Sequence, residues 1–205
     1  EPEYIPQMSV NNAEYESSHR ERFTLNGNEL KMDDYLQVIH YQINMAALLR
    51  LGEWFDYMRE NDVYDNTRII LVADHGYNLD HLDGFYLENG EDISFYYPLL
   101  MVKDFDSKEF SISEEFMTNG DVPAIALKDV IEEPVNPFTG KAIDAHEKTE
   151  HEQYVFTSHE WMVDGIEANN GNTFRPGNWY AVYDDMRDPD NWKLVAENTV
   201  LPENE

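Results

Sequence analysis

Residues 65–76 read Asp65-Asn-Thr-Arg-Ile-Ile-Leu-Val-Ala-Asp-His-Gly76, and the fold class turns on this stretch. Ile69 to Val72 are consecutive apolar residues, and Ile69, Ile70 and Val72 are β-branched. Such a run suits a strand buried on both faces of a parallel sheet. It leads directly into an acid, an imidazole and a glycine. Ligands of open α/β sheets collect at the carboxyl ends of strands, so Asp74 and His75 stand where a metal-ligand pair would act. Neighbouring strand residues point to opposite faces, so both can reach one ion only where the strand ends and turns. Gly76 permits that turn. Mixed oxygen and nitrogen ligation suits manganese, zinc, iron or magnesium, and calcium less well. The simpler alternative is an aspartate capping a turn beside a satisfied histidine.

Upstream, Asp33 or Asp34 can cap a helix, and Tyr35, Val38, Ile39, Tyr41, Ile43, Ala46, Leu49 and Phe55 recur mostly at three- and four-residue steps. The pattern predicts a helix over 34–60, stopped by the turn formers Asn61 and Asp62. Helix, brief turn and apolar strand make one αβ unit of an α/β fold. Downstream, Tyr77 to Ser94 is rich in Asp, Asn and Gly and reads as a long loop, of the kind that is usually functional or mobile. A second strand is expected over Tyr96–Val102, with Pro98 placing it near an edge or at the strand start. Asp121-Val-Pro123 opens another helix with Ala124, Leu127, Val130 and Ile131 on one face, stopped at Pro134. Residues 134–152 are a polar linker. Tyr154–Thr157, Trp179–Tyr183 and Trp192–Val195 read as terminal antiparallel strands. The expected organisation is an irregular segment over 1–32, an α/β portion over 33–143, and a linker with a small β subdomain over 144–205.

The chain has 205 residues with 14 Lys+Arg against 42 Asp+Glu, a formal net charge of −28. This length suits one domain, or one with an appendage. At 41% hydrophobic residues, a core is available. The charge argues against a nucleic-acid partner and disfavours anionic membrane surfaces, since both require a basic face. There is no cysteine, which excludes a disulfide scaffold, a Cys-ligated zinc and a thiol nucleophile within these residues. No apolar run approaches the roughly 20 residues of a membrane span, and no signal peptide is visible. Glu1 opens irregular, Pro-containing sequence, which reads as a piece of something longer.

Residues 65–76, preceded by Leu51-Gly-Glu-Trp-Phe-Asp-Tyr-Met58, resemble the C-terminal half of the sulfatase–alkaline phosphatase superfamily. The similarity is greatest to its lipoteichoic-acid-synthase-like, phosphoglycerol-transferase-like branch. Asn119-Gly-Asp-Val-Pro-Ala-Ile-Ala-Leu-Lys-Asp-Val-Ile131 is similar to that family's later helix, with Ala124 where Thr is usual, and Asn136-Pro-Phe-Thr-Gly140 also fits. The resemblance spans roughly residues 33–143. It implies a three-layer α/β/α fold, with Asp74 and His75 on one catalytic divalent metal, Mn²⁺ favoured and Zn²⁺, Mg²⁺ or Ca²⁺ possible. It also implies a lipid- or glycan-linked phosphate or sulfate ester substrate, and a cell-surface location through membrane helices upstream. The family's Thr, Ser or modified Cys nucleophile and further carboxylate ligands lie before the Asp-His-Gly strand. Nothing in residues 1–32 matches them: Thr24 follows no apolar strand. The nucleophile is therefore expected before Glu1, and these residues alone should be inert. A rival of another class is a non-catalytic glycan-binding module on the same scaffold.

Among the remaining histidines, His81 follows the metal strand and His159 follows a predicted strand; either could handle substrate or support the metal ligands. His146 and His151, five apart in a charged stretch, fit a solvated surface. His40 fits a packed or solvent-bridging role on the helix, and His19 carries no signal. The acidic runs 80–84 and 184–190 lack the alternating ligands of a calcium loop and read as solvated turns. Trp161, Trp179, Tyr180, Tyr183 and Trp192 could stack on sugars, but a small sheet needs such residues as core.

Overall fold

The computed structural model describes residues 24–25, 28–29, 31–80, 84–113, 115–143, 148, 150–158 and 176–199. The chain is a mixed α/β protein whose strands, among these residues, pair in antiparallel ladders. It divides into two compact units, residues 1–86 with 90–112, and residues 87–89 with 113–205.

Among the described residues, the first unit starts with a minimal antiparallel pair of β1 (Thr24–Leu25) and β2 (Asn28–Glu29). Helix α1 (Tyr35–Glu60) follows, close to the predicted bounds. Its first-turn amides are satisfied by Asp34, whose side chain accepts from Leu36 N at 2.7 Å and Gln37 N at 3.0 Å. Gln37 returns the favour to the Asp34 amide at 3.2 Å, completing a reciprocal cap. At the far end Asn61 donates to the Tyr57 carbonyl at 2.8 Å, and the chain leaves the helix.

Strand β3 (Ile69–Val72) pairs with β4 (Leu100–Lys103) in antiparallel register, from Ile69 opposite Lys103 to Val72 opposite Leu100. This corrects the parallel, doubly buried strand expected from the apolar run: Ile69 is buried, but Val72 is exposed. The intervening loop is the cause. It returns beside the end of β3, where the Ala73 amide donates to the Leu99 carbonyl at 2.9 Å, so β4 runs back along β3. Within the loop, Tyr86 bridges to Asp92, and the chain makes one tight helical turn at Ile93–Tyr96, capped by Asp92. The second strand therefore begins at Leu100 rather than Tyr96. At the opposite end of the ladder the Arg68 guanidinium is almost wholly buried. It bonds Asp104 at 2.8–2.9 Å and lies 4.6 Å over the Phe105 ring. The Lys103 ammonium donates to the carbonyls of Tyr64, Asp65 and Thr67, closing the turn between α1 and β3.

In the second unit, helix α2 (Val122–Leu127) starts at the predicted Asp121-Val-Pro123 but lasts six residues. Lys128 has already left the helical region, and Asp129 and Glu133 have positive φ. Val130 and Ile131, expected on its buried face, are exposed. The terminal strands form as expected: β5 (Gln153–Thr157), β6 (Gly177–Val182) and β7 (Trp192–Thr199), in the order β5-β6-β7, all antiparallel. Thr157, Tyr180, Val182 and Trp192 are buried. Asn89 donates to the Tyr180 hydroxyl at 2.7 Å, and the Trp192 indole donates to the Met186 carbonyl at 2.8 Å. Among the described residues no helix is long and apolar enough to cross a membrane.

Candidate metal centre

Asp74 and His75 come one residue after the end of β3, at the turn into the long loop. The Asp74 side chain is 89% exposed and that of His75 39% exposed. The turn is held by its own residues, because Asp74 Oδ1 accepts from the His75 amide at 3.0 Å. It is also held by the tight helical turn at Ile93–Tyr96, since the Gly76 amide donates to the Phe95 carbonyl at 2.8 Å. Glycine is required here by space. A Cβ at position 76 would lie 2.0 Å from the Ser94 carbonyl oxygen, so backbone would have to move.

Two contacts orient the imidazole. The ring stacks on Phe95 at 4.5 Å between centroids and 19° between planes. Its Nδ1 lies 2.6 Å from the Gly76 carbonyl oxygen, which can only accept, so Nδ1 carries the proton in the neutral ring. The Nε2 lone pair is left on the other side of the ring, 3.7 Å from Asp74 Oδ2. A histidine that donates its far N–H to a carbonyl and offers the other nitrogen is the usual arrangement for metal ligation. With metal–ligand bonds of about 2.0–2.2 Å, two donors on one ion lie up to about 4 Å apart. At 3.7 Å the two donors stand slightly wider than the roughly 3.0–3.4 Å edge such bonds give, so sharing one ion requires the exposed Asp74 side chain to move a few tenths of an ångström toward His75. No group of three or more His, Cys, Asp or Glu that could hold an ion occurs among the described residues.

His81 and His159 lie outside the described residues, as do His19, His146 and Trp161. His151 is exposed. His40 is packed, its ring stacked on Tyr77 at 5.4 Å and 29°. Of the acidic runs, Asp80 pairs with the distant Lys31 at 3.0 Å, and 184–190 serves its own turn: Asp185 pairs with Arg187 at 2.8 Å and Asp188 accepts the Asp190 amide at 3.0 Å. The Arg187 guanidinium holds the Asp185 carboxyl below its ordinary value. Tyr180 and Trp192 are core, and Trp179 lies 5.0 Å from Phe156.

Sequence reasoning missed two residues of this neighbourhood. Phe95, the floor under the imidazole, carries no signal of its own. Gln37 was missed as well, although Asp34-x-x-Gln37 has the spacing of a capping box, the one signal that could have pointed to it at the helix start. Searches against family models, curated proteins and solved structures found no match for this chain.

Proposed function

We propose that the chain contributes metal ligands to a phosphoryl transferase of the phosphoglycerol type, or to a sulfatase-like hydrolase, on a three-layer α/β/α scaffold. The observation that carries this reading is the Asp74–His75 pair: a carboxylate and an imidazole whose Nδ1 faces the Gly76 carbonyl oxygen, 3.7 Å apart just past the end of a strand. A divalent ion held there would lower the pKa of an attacking hydroxyl and neutralise charge on a transferred phosphoryl or sulfuryl group. Asp74 supplies charge and His75 a neutral nitrogen, while the Phe95 ring and the Gly76 carbonyl keep the imidazole from rotating away. The family resemblance assigns no nucleophile to a residue of this chain. An upstream membrane anchor and an extracytoplasmic site accord with the family resemblance, and the substrate class is a lipid- or glycan-linked phosphate or sulfate ester.

The test is thermal denaturation of the chain with and without Mn²⁺ or Zn²⁺. Ligand at one hundred times its Kd stabilises the folded state by about 2.7 kcal/mol, so the melting temperature should rise. His75→Ala should abolish the rise, and an unaltered rise in that variant would remove the site assignment. A second reading is favoured by one observation: Tyr154 is 60% exposed on the C-terminal sheet and Tyr183 is also exposed, an aromatic surface able to stack on sugar rings. A glycan-binding module of this kind would keep its binding in Asp74→Ala and His75→Ala and would show no response to metal.

A further inference from the structure

The loop leaving the candidate metal centre is clamped to the start of α1. Gln37 is buried among polar contacts on both ends of its amide. Its Oε1 accepts from the amides of Asp33 at 2.7 Å and Asp34 at 3.2 Å, and its Nε2 donates to the Leu79 carbonyl at 2.7 Å. One turn further along the helix, His40 stacks on Tyr77. Lys31, just before the helix, pairs with Asp80. Residues 77–80 are thus gripped by three side chains from one short stretch, Lys31 to His40. The segment they grip begins at the residue after Gly76, whose carbonyl fixes the His75 ring.

We propose that Gln37 is a positioning residue for His75: by tying Leu79 to the first turn of α1 it fixes the path of the chain out of Gly76, and so holds the Gly76 carbonyl against Nδ1. The proposal deepens the metal-centre reading and rests on it for its purpose, but the geometry it concerns exists without metal. Which imidazole nitrogen carries the proton is set by the hydrogen bond the ring makes, so the tautomer reports directly on the carbonyl's position.

The experiment is ¹⁵N NMR of the imidazole rings in the full chain, comparing the unaltered protein with Gln37→Glu. Glutamate keeps the oxygen that caps Asp33 and Asp34 and removes the donor to Leu79. The unaltered chain should show His75 predominantly as the Nδ1–H tautomer. In Gln37→Glu that population should fall by about twofold or more toward the mixed population of a solvated ring. Amide exchange at residues 77–80 should rise at least about tenfold while α1 stays protected. Faster loop exchange with an unchanged His75 tautomer would overturn the proposal, leaving Gln37 as loop packing alone. If Gln37→Glu does not fold, Gln37→Ala removes the tie to Leu79 while Asp34 still caps the amides of residues 36 and 37, and the same tautomer shift decides the matter. Mn²⁺ added to the same samples separates the two claims. A tautomer shift without Mn²⁺ broadening at His75 supports the positioning role and refutes the metal reading. Broadening without a shift does the reverse.

Discussion

At the residue scale the site depends on a glycine as much as on its two candidate ligands. Gly76→Ala would drive a Cβ to within 2.0 Å of the Ser94 carbonyl, so the turn must open. We expect this variant to lose the Gly76–Phe95 bond and about 1–3 kcal/mol of stability, the usual cost of forcing atoms into a filled space, measurable by urea denaturation. Asp121 in the second unit is a separate case. It is 0% exposed and accepts from Lys148 at 2.5 Å, Asn136 at 2.9 Å, and the amide and hydroxyl of Thr118 at 2.8 and 3.0 Å. Burial raises this carboxyl, and the hydrogen bonds from Lys148, Asn136 and Thr118 together outweigh burial and leave it below its ordinary value. A depressed folded-state pKa contributes stability that is present above the unfolded value and lost as pH falls through the folded one. Acid titration should therefore weaken the unaltered chain below about pH 4, and Asp121→Ala should remove this contribution. Breaking a buried pair by removing one member costs about 3–5 kcal/mol, so Asp121→Ala should be strongly destabilised at neutral pH in calorimetry.

At the element scale, legibility followed the number of residues that agreed on one pattern. Helix α1 was readable because a cap, a long apolar periodicity and a turn signal all pointed to the same bounds. Asp34→Ala removes that cap and should cost about 1 kcal/mol, visible as a lower denaturation midpoint with an unchanged slope. The three terminal strands were readable from their β-branched and aromatic runs. Helix α2 was only half readable. Its start is written in Asp121-Val-Pro123, but its end comes at Lys128, whose backbone turns extended, and the positive φ of Asp129 and Glu133 keeps the following residues out of the helix; these residue types encode neither strongly. The direction of β4 was not readable at all. Four apolar residues at 69–72 suit either kind of sheet, and the antiparallel register comes from how the 77–94 loop folds back, through contacts such as Ile93 with Phe85. Asp74 and His75 were legible as a pair because a strand end concentrates ligands; the Phe95 floor and the Gln37 tie are tertiary and left no mark in the spacing.

At the scale of the whole molecule, two properties dominate. The net charge of −28 repels itself in the folded state. Salt screens that repulsion over a Debye length of about 10 Å at 0.1 M, so the melting temperature should rise with NaCl, and a fall would show that specific ion pairs outweigh the net charge. The second property is exposed apolar surface in the first unit, on Leu36, Ile43, Trp54 and Tyr57 of α1 and on Val72, Met101 and Val102 of the β3–β4 ladder. Exposed apolar side chains of this kind should bind a hydrophobic dye without denaturant, and Trp54→Glu with Leu36→Glu should lower that binding.

The central claim is that Asp74 and His75 hold one divalent ion, and the direct measurement is an NMR titration of the chain with substoichiometric Mn²⁺. Paramagnetic broadening should appear first at the His75 ring and the Asp74 and Gly76 amides, and Asp74→Ala with His75→Ala should abolish it there. Broadening that instead spreads evenly over the acidic surface, or persists at this turn in the double variant, would contradict the account.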